Sequence, residues 1–447
     1  MSTAIQIPAE YRAAYQRLSE SPSPAWLKSL RKAAFDRFQN LGFPHHDEEG
    51  WRYTNVAPIR ETPYVPAPDA KAPVSRSDLA PHIIPNLTAH TVVLANGAYA
   101  PELSTLQNLP KTVRVQSIAM ALDKSPDVLE PLLAQYTSFE NHAFAALNTA
   151  LFRDGIFIDV PRGTQVPIPI HVIHLGAPGK EPLAQFPRVL LRASSLSQVS
   201  IIETFAGPAK GRYFTCAVTE VAAEDGAVVH HYKIQREGPT AHHVHALHFE
   251  QEAQSTVSDH NIAFGGKLAR TDLTQRFGGE GGDVTLNGLY VLEAEQHVDN
   301  HTTIDHAQRR STSREFYKGI LDGKSRGVFY GKIFVRKDAQ KTNASQTNKN
   351  LLLSDAALVD SIPALEINAD DVKCAHASTI GQLDKDSVFY LRSRGIDEPT
   401  ARSLLTYAFA REIVAQLPLE PLRAHIEELV LARLPNSRAV KEALHDN

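Results

Sequence analysis

The segment Ala227-Val-Val-His-His-Tyr-Lys-Ile234 is the most informative indicator of the fold in this chain of 447 residues. It is short and rich in β-branched residues, and Gly226 precedes it, which is typical of a β-strand. Residues 189–193 and 199–204 have the same character, and turn-forming residues separate these segments. Helical periodicity is essentially absent until about residue 384. The sequence therefore predicts a mainly β body over residues 151–384.

The arrangement of these strands is left open by the pattern alone. A long run of short strands with little helix argues against a doubly wound α/β sheet. A sandwich, a barrel and a β-helix all remain compatible, because no clean repeat period is evident.

Helical segments flank the β body on both sides. Near the N-terminus, Trp26, Leu30 and Phe38 recur on one helical face, and Gly42 is a suitable stop. Near the C-terminus, Asp397 is a suitable N-cap of another helix. The predicted regions are a helical or mixed region at 1–150, the β core at 151–384, and a C-terminal helical region at 385–447.

Composition places the chain among ordinary globular proteins and excludes several classes of function. Hydrophobic residues make up 43%, charged residues 21%, and the net charge is −4, so no global field attracts nucleic acid or anionic membranes. No apolar run is long enough to span a membrane. The start, Met1-Ser-Thr-Ala-Ile-Gln-Ile-Pro8, lacks the features of a secretory signal, so we expect a cytoplasmic protein.

The two cysteines, Cys216 and Cys374, limit the metal chemistry that this chain can support. Two thiols provide no disulfide framework, which is consistent with a reducing compartment. They also cannot bind an iron–sulfur cluster or a structural zinc through four cysteines of the same chain. Any such site would need imidazole, carboxylate or a partner chain.

Histidine is unusually concentrated in the β body, where half of the 20 histidines lie between His230 and His306. His243, His245 and Glu250 match the H-x-H-x4-E spacing of a cupin metal site, which indicates a cupin-like metalloenzyme as an alternative. The glycine expected after the glutamate and a second cupin motif are missing. Histidines that stack along neighbouring strands and face solvent explain the cluster equally well.

Two further patterns point to nucleotides or nucleic acid but are weak. Residues 319–325 resemble a phosphate-binding loop, yet only three residues separate the glycines and no helix follows, so we expect turns and no bound nucleotide. Residues 306–350 contain 11 Lys or Arg and 3 Asp or Glu, which suggests a nucleic-acid-binding β protein as a third alternative. A solvated face or a docking surface for an acidic partner explains this charge better.

Cys374-Ala-His376 places a thiol and an imidazole two residues apart. On a strand, both side chains project to the same face. A cationic imidazole beside the thiol would favour the thiolate, which ligates metal or accepts sulfur, although a single cysteine is commonly a small core residue. The pair supplies only two ligands, so a metal site here would need a second subunit.

Several long segments resemble the SufB/SufD family. They include Asp283-Val-Thr-Leu-Asn-Gly-Leu-Tyr-Val-Leu, residues 296–306, and Arg326-Gly-Val-Phe-Tyr-Gly-Lys-Ile. They continue through residues 338–354 and Asp371-Val-Lys-Cys-Ala-His-Ala-Ser-Thr-Ile-Gly, which is similar to the SufD version of this segment. Such long motifs are far more specific than the short patterns above.

The resemblance implies a right-handed parallel β-helix between helical N- and C-terminal regions. It also implies a non-catalytic scaffold subunit that pairs with SufB, binds the ATPase SufC through its C-terminal helices, and participates in iron acquisition. The expected cargo is a nascent iron–sulfur cluster or iron, held transiently at the subunit interface. His376 matches the SufD histidine of that interface, with Cys374 as a nearby thiol of uncertain role, and a homodimer is an option for the isolated chain.

Overall fold

The computed structural model describes residues 7–68, 72 and 74–445 of the chain. The N-terminal residues on which the expectation of no signal sequence mainly rests lie outside this part. No helix of the described residues is both long and apolar enough to cross a membrane.

Helices occupy both ends of the described chain, and strands occupy its middle. The helices are α1 Ala9–Glu20, α2 Ala25–Leu41, α3 Ala57–Glu61, α4 Arg76–Leu79, α5 Ile118–Lys124, α6 Pro126–Leu129, α7 Ala143–Leu151, α8 Lys385–Ser393, α9 Glu398–Val414, α10 Glu420–Leu431 and α11 Ser437–His445. The strands before residue 210 are β1 Val65–Pro66, β2 His90–Ala95, β3 Ala98–Tyr99, β4 Arg114–Ser117, β5 Ile156–Val160, β6 Ile170–Leu175, β7 Leu183–Gln185, β8 Arg188–Ala193 and β9 Gln198–Ala206. The later strands are β10 Tyr213–Ala223, β11 Val228–Arg236, β12 His242–Gln251, β13 Thr256–Ala263, β14 Leu268–Phe277, β15 Asp283–Leu292, β16 His297–His306, β17 Thr312–Leu321, β18 Arg326–Val335, β19 Asn343–Leu352, β20 Leu358–Ile367 and β21 Lys373–Gly381.

The strands form two facing sheets, and the chain alternates between them. The first sheet runs β20-β18-β16-β14-β12-β10-β8-β5-β4, and the second runs β21-β19-β17-β15-β13-β11-β9-β6-β2-β3. All pairs from β8 to β21 are parallel, so each successive pair of strands adds one rung to a solenoid. The prediction of a mainly β protein with a parallel β-helix core and helical ends is therefore confirmed. The sandwich and the barrel are excluded.

The solenoid interior is filled by one face of each sheet. Alternate residues of the strands point inward and form a continuous apolar core that includes Val199, Val229, Val257 and Val284 on four successive rungs of the second sheet. Stacking equivalent apolar side chains on neighbouring rungs buries them without long-range connections.

The outer faces of the two sheets are covered by different helices. The N-terminal helices pack on the first sheet, where Phe38 and Phe144 share a cluster with Phe214 and Val244. The C-terminal helices pack on the second sheet through a separate apolar cluster. Because both faces of the central strands are buried, β10 and β12 contain no exposed residue.

The last rung of the solenoid differs from the others. Strands β20 and β21 each pair with only one neighbour, so one edge of each strand has no partner in the described residues. Their residues are intermediate or exposed rather than buried. Three large apolar side chains on these strands, Leu358, Ile367 and Ile380, are between 41% and 59% exposed. We call these two strands the open end of the solenoid; in the described residues, neither of the apolar clusters formed with the helices includes a residue from them.

Candidate functional site

Cys374 and His376 lie on β21, the last strand of the second sheet. Cys374 pairs in register with Ala344 of the interior core, and His376 pairs with Gln346, which is 1% exposed. Parallel strands in register point equivalent side chains in the same direction. Both residues therefore project from the inner face of the last rung, where the open end leaves His376 exposed.

The position of this strand follows from the local sequence. The segment 369–372 turns the chain from β20, and the backbone N–H of Lys373 donates to Thr342 O. Beyond β21, the Asp384 carboxylate accepts from the backbone N–H of Ser387 and caps α8. The strand is thus fixed between a turn and a capped helix. β21 therefore positions Cys374 and His376, the two candidate ligands, at the open end of the solenoid.

The two cysteines have contrasting surroundings. Cys216 is buried against the N-terminal helices, and burial raises the pKa of its thiol. Cys374 is half-buried against the interior core, and this burial also raises the pKa of its thiol. Burial therefore disfavours the thiolate at Cys374, and a metal or a cationic partner beside it would favour the thiolate.

A ladder of polar side chains lies directly behind His376. Gln346 donates from Nε2 to the Glu315 carboxylate at 2.7 Å, and Glu315 is the next residue in the same register column. The atoms Oε1 of Glu315 and Oε1 of Gln346 have no hydrogen-bond partner in the described residues. Burial raises the pKa of Glu315 to about 7. A carboxyl group with a pKa near neutral pH therefore lies behind the open end of the solenoid.

A second polar chain begins beside His376, at Ser378. Its hydroxyl lies 2.8 Å from that of Ser361 on the facing strand β20, and Ser361 donates to Asn348 at 2.7 Å. These bonds cross the interior between the two sheets. They show that this face of β21 points into the solenoid.

A buried charged cluster lies several rungs deeper. His231 joins two carboxylates, with Nδ1 at 2.6 Å from Asp259 and Nε2 at 2.9 Å from Glu203. Burial opposes its charge, but these hydrogen bonds outweigh burial and raise the pKa of His231 to about 9. Burial lowers the pKa of the neighbouring Lys233 to about 8. The opposite charges compensate each other, which explains why they are tolerated in the interior.

The cupin-like arrangement of His243, His245 and Glu250 is wrong. The two imidazoles point into the solenoid, where His243 Nδ1 lies 2.8 Å from Glu237. Glu250 is on the opposite face of the same strand and bonds with Arg276. Glu250 follows His243 by seven positions and His245 by five, and both offsets are odd, so strand alternation prevents the three from sharing a site.

The expectation that the stacked histidines face solvent is also wrong. His231, His243, His245 and His306 are each completely buried, and all four point inward. The sequence pattern did not reveal this because both faces of these strands are covered.

The basic stretch 306–350 does not form a free cationic surface. Its side chains pair mostly with acids on adjacent rungs or on α9, as in Arg314–Asp283, Arg336–Asp305 and Lys318–Glu412. These pairs are consistent with the solvated face preferred from the sequence. They leave little unpaired charge for a nucleic-acid backbone.

The glycines of residues 319–331 only partly serve as turns. Gly323 has a φ of 65° in the turn between β17 and β18. Gly319 and Gly331 instead lie within strands, where a Cβ would lie 2.2 Å from the Tyr290 ring and 2.3 Å from Gln346 Nε2. They make room for interior side chains. No helix follows Gly323, so no phosphate-binding loop is formed.

The sequence reasoning missed Glu315 and Gln346. Their only available signal is register, because they become neighbours of His376 once the rungs are aligned. That alignment requires the repeat, which the sequence pattern did not reveal.

Comparison with known proteins supports the resemblance to the SufB/SufD family. Residues 175–409 match the family model described as "SUF system FeS cluster assembly, SufBD core domain", and residues 1–172 match "SufBD protein N-terminal region". A SufBD family protein of Synechocystis is 32% identical over 91% of both chains. The iron–sulfur cluster assembly protein SufD of Escherichia coli is 30% identical over 88% of this chain and 90% of its own. SufD of Bacillus subtilis is 26% identical over 96% of this chain and 98% of its own. The chain therefore belongs to the SufBD family of iron–sulfur cluster assembly proteins, and within it is SufD-like.

Proposed function

We propose that this protein is a non-catalytic, cytoplasmic scaffold subunit that pairs with a SufB-like chain through the open end of its solenoid. The cargo is a nascent iron–sulfur cluster, or iron on the way to one, held between the two subunits. His376 supplies a ligand from this side, Cys374 is a secondary candidate, and the partner supplies the remaining ligands. Imidazole and thiolate are both suitable ligands for iron.

The observation that carries this proposal is the placement of His376 on β21, a strand that pairs with β19 along one edge and has no partner along the other in the described residues. Unpaired strand edges with exposed apolar side chains are templates for pairing with another chain. Leu358, Ile367 and Ile380 supply exposed apolar surface on the same two terminal strands. A partner that extends the sheets would bring its own ligands next to His376. A site divided in this way accounts for a chain with only two thiols.

Replacement of His376 by Ala tests the proposal. We expect loss of cluster formation in the complex reconstituted with SufB-like and SufC-like subunits under anaerobic conditions. The subunits should still co-purify, because an exposed imidazole contributes little to folding. The measurements are bound iron and sulfide, the visible absorption of the cluster, and subunit stoichiometry by size-exclusion chromatography. Normal clusters in the His376→Ala complex would refute the assignment.

His243→Gln is the matched control for this experiment, since it alters a histidine inside the solenoid and away from the open end. We expect near-normal cluster yield in a folded His243→Gln complex. Its melting temperature, measured in parallel, separates loss of folding from loss of the site. A severe loss of clusters in a normally folded His243→Gln complex would contradict the placement of the site at the open end.

The ATPase partner has a candidate docking surface on α8. Phe389 and Tyr390 are 71% and 56% exposed on this helix, although large aromatic residues are usually buried. Exposed aromatic residues are typical anchors of protein interfaces. We assign this pair to the contact with a SufC-like subunit. Residues 319–325 form no phosphate-binding loop in the described structure, and we assign nucleotide hydrolysis to that partner.

A further inference from the structure

An exposed loop between α2 and the Trp51 turn carries three adjacent metal-ligating side chains, His45, His46 and Asp47. It is the only group of three or more His, Cys, Asp or Glu donors within ligand distance of one another in the described part of the chain. It lies in the N-terminal region, on a different element from His376. None of the functions discussed above uses it.

The loop is anchored at both ends. Phe43 packs between α2 and α7, with its ring 5.4 Å from Phe38 and 5.9 Å from Phe144. Trp51 is buried on the other side of the loop. Between these anchors, the Glu48 side chain accepts from the backbone N–H of His45 at 2.8 Å. The backbone of His45, His46 and Asp47 is therefore constrained in the absence of a metal ion.

The donor atoms already have the spacing of a coordination shell. His45 Nδ1 lies 3.0 Å from one Asp47 oxygen, and His46 Nε2 lies 3.3 Å from the other. Bonds of about 2.1 Å to a metal place neighbouring donors roughly 3.0 Å apart in octahedral geometry and 3.4 Å apart in tetrahedral geometry. The two contacts use different Asp47 oxygens, but one donor atom from each residue lies within 4.8 Å of the other two, so side-chain rotations could direct all three at one ion.

We propose that His45, His46 and Asp47 form a binding site for a divalent first-row transition metal ion. Two imidazoles and one carboxylate suit Fe²⁺, Co²⁺, Ni²⁺, Cu²⁺ and Zn²⁺ better than Mg²⁺ or Ca²⁺, which prefer oxygen ligands. Three protein ligands leave positions for water, and all three residues are exposed. These features make the ion exchangeable. The site is separate from the proposed cluster site and does not depend on it.

Titration with Co²⁺ tests this site directly. The full-length protein, free of any polyhistidine tag and treated with chelator, is titrated by isothermal calorimetry and visible absorption. We expect one Co²⁺ per chain that is lost, or bound at least tenfold more weakly, in His46→Ala and in Asp47→Asn. Metal binding should also weaken at acidic pH, because protonated imidazole cannot coordinate.

Asp123→Asn is the matched control for Asp47→Asn, since it removes another exposed carboxylate and leaves the loop unchanged. It should retain the His45–Asp47 ion with unchanged affinity. Circular dichroism and melting temperature confirm that each variant is folded. Binding that persists unchanged in His46→Ala and Asp47→Asn, or that is equally weakened in Asp123→Asn, would overturn the proposal, as would a wild-type protein that binds no Co²⁺.

Discussion

At the scale of single residues, Glu315 gives the clearest pH-dependent prediction. Its pKa is about 7 in the folded protein, because of burial, and about 4.3 in an unfolded chain. Below pH 4 the Glu315 carboxyl is protonated in both states, so its ionisation does not lower the free energy of unfolding. As pH rises from 4 to 7, the unfolded chain loses the proton first, so the free energy of unfolding falls. Above pH 7 the full cost remains.

The isosteric change Glu315→Gln removes this cost and keeps an oxygen to accept from Gln346. We expect the variant to be more stable than wild type by roughly 1 to 3 kcal/mol at pH 8, and to be equally stable near pH 4. Denaturant unfolding at the two pH values measures this difference. The control is Glu130→Gln at an exposed position. An equal effect of Glu315→Gln at both pH values would contradict the assigned ionisation.

Individual residues of the site could be predicted only in part. The sequence predicts His376 and Cys374 as candidate site residues, from a long motif and from the two-residue spacing on a strand, and this stays a prediction. Glu315, Gln346 and the buried charges around His231 could not be identified, because their roles depend on which rungs lie next to each other. Alternation normally separates inner from outer residues. On strands that are buried on both faces, that signal disappears.

At the scale of elements, α8 is the helix that exposes two large aromatic side chains, Phe389 and Tyr390. Phe389→Ala should weaken binding to the SufC-like subunit at least tenfold, because exposed aromatic anchors contribute strongly to interfaces. The melting temperature of the isolated chain should change little, since the side chain is 71% exposed. Calorimetric titration with the ATPase measures the loss. Lys385→Ala on the same helix is a control, and unchanged affinity in Phe389→Ala would place the contact elsewhere.

Helix ends were the elements that sequence reasoning placed best. α2 ends at Leu41 with Gly42 in a left-handed conformation at φ 69°, and α9 begins after Asp397, whose side chain accepts from Thr400 N–H. Both signals are local: glycine tolerates positive φ, and a carboxylate caps free backbone donors. Strand arrangement is not local. Thr256 pairs with Asp283 and Thr312 pairs with Asn343, so the repeat length changes from rung to rung and no fixed period appears in the sequence.

At the scale of the whole molecule, we predict that association takes place through the open end of the solenoid. We expect the isolated chain to form a homodimer through β20 and β21, and a SufB-like subunit to replace one copy. Ile380→Lys places a charge on this edge and should shift the isolated protein toward monomer and weaken the heterodimer, because edge lysines oppose strand pairing. Sedimentation velocity measures both effects. Leu196→Lys, at another exposed leucine away from the open end, is the control; equal dissociation in the two variants would argue against this interface.

The connection between β21 and α8 consists of Gln382, Leu383 and Asp384 alone. A connection of three residues allows little independent movement of the two elements. If a nucleotide-hydrolysing partner displaced α8, the connection would transmit a force along β21. In a stack where each rung is held mainly by its immediate neighbours, such a force can peel the terminal rung while the remainder stays intact. Displacement of β21, the strand that bears His376, would then release the bound cluster or iron during each cycle of nucleotide hydrolysis by the partner.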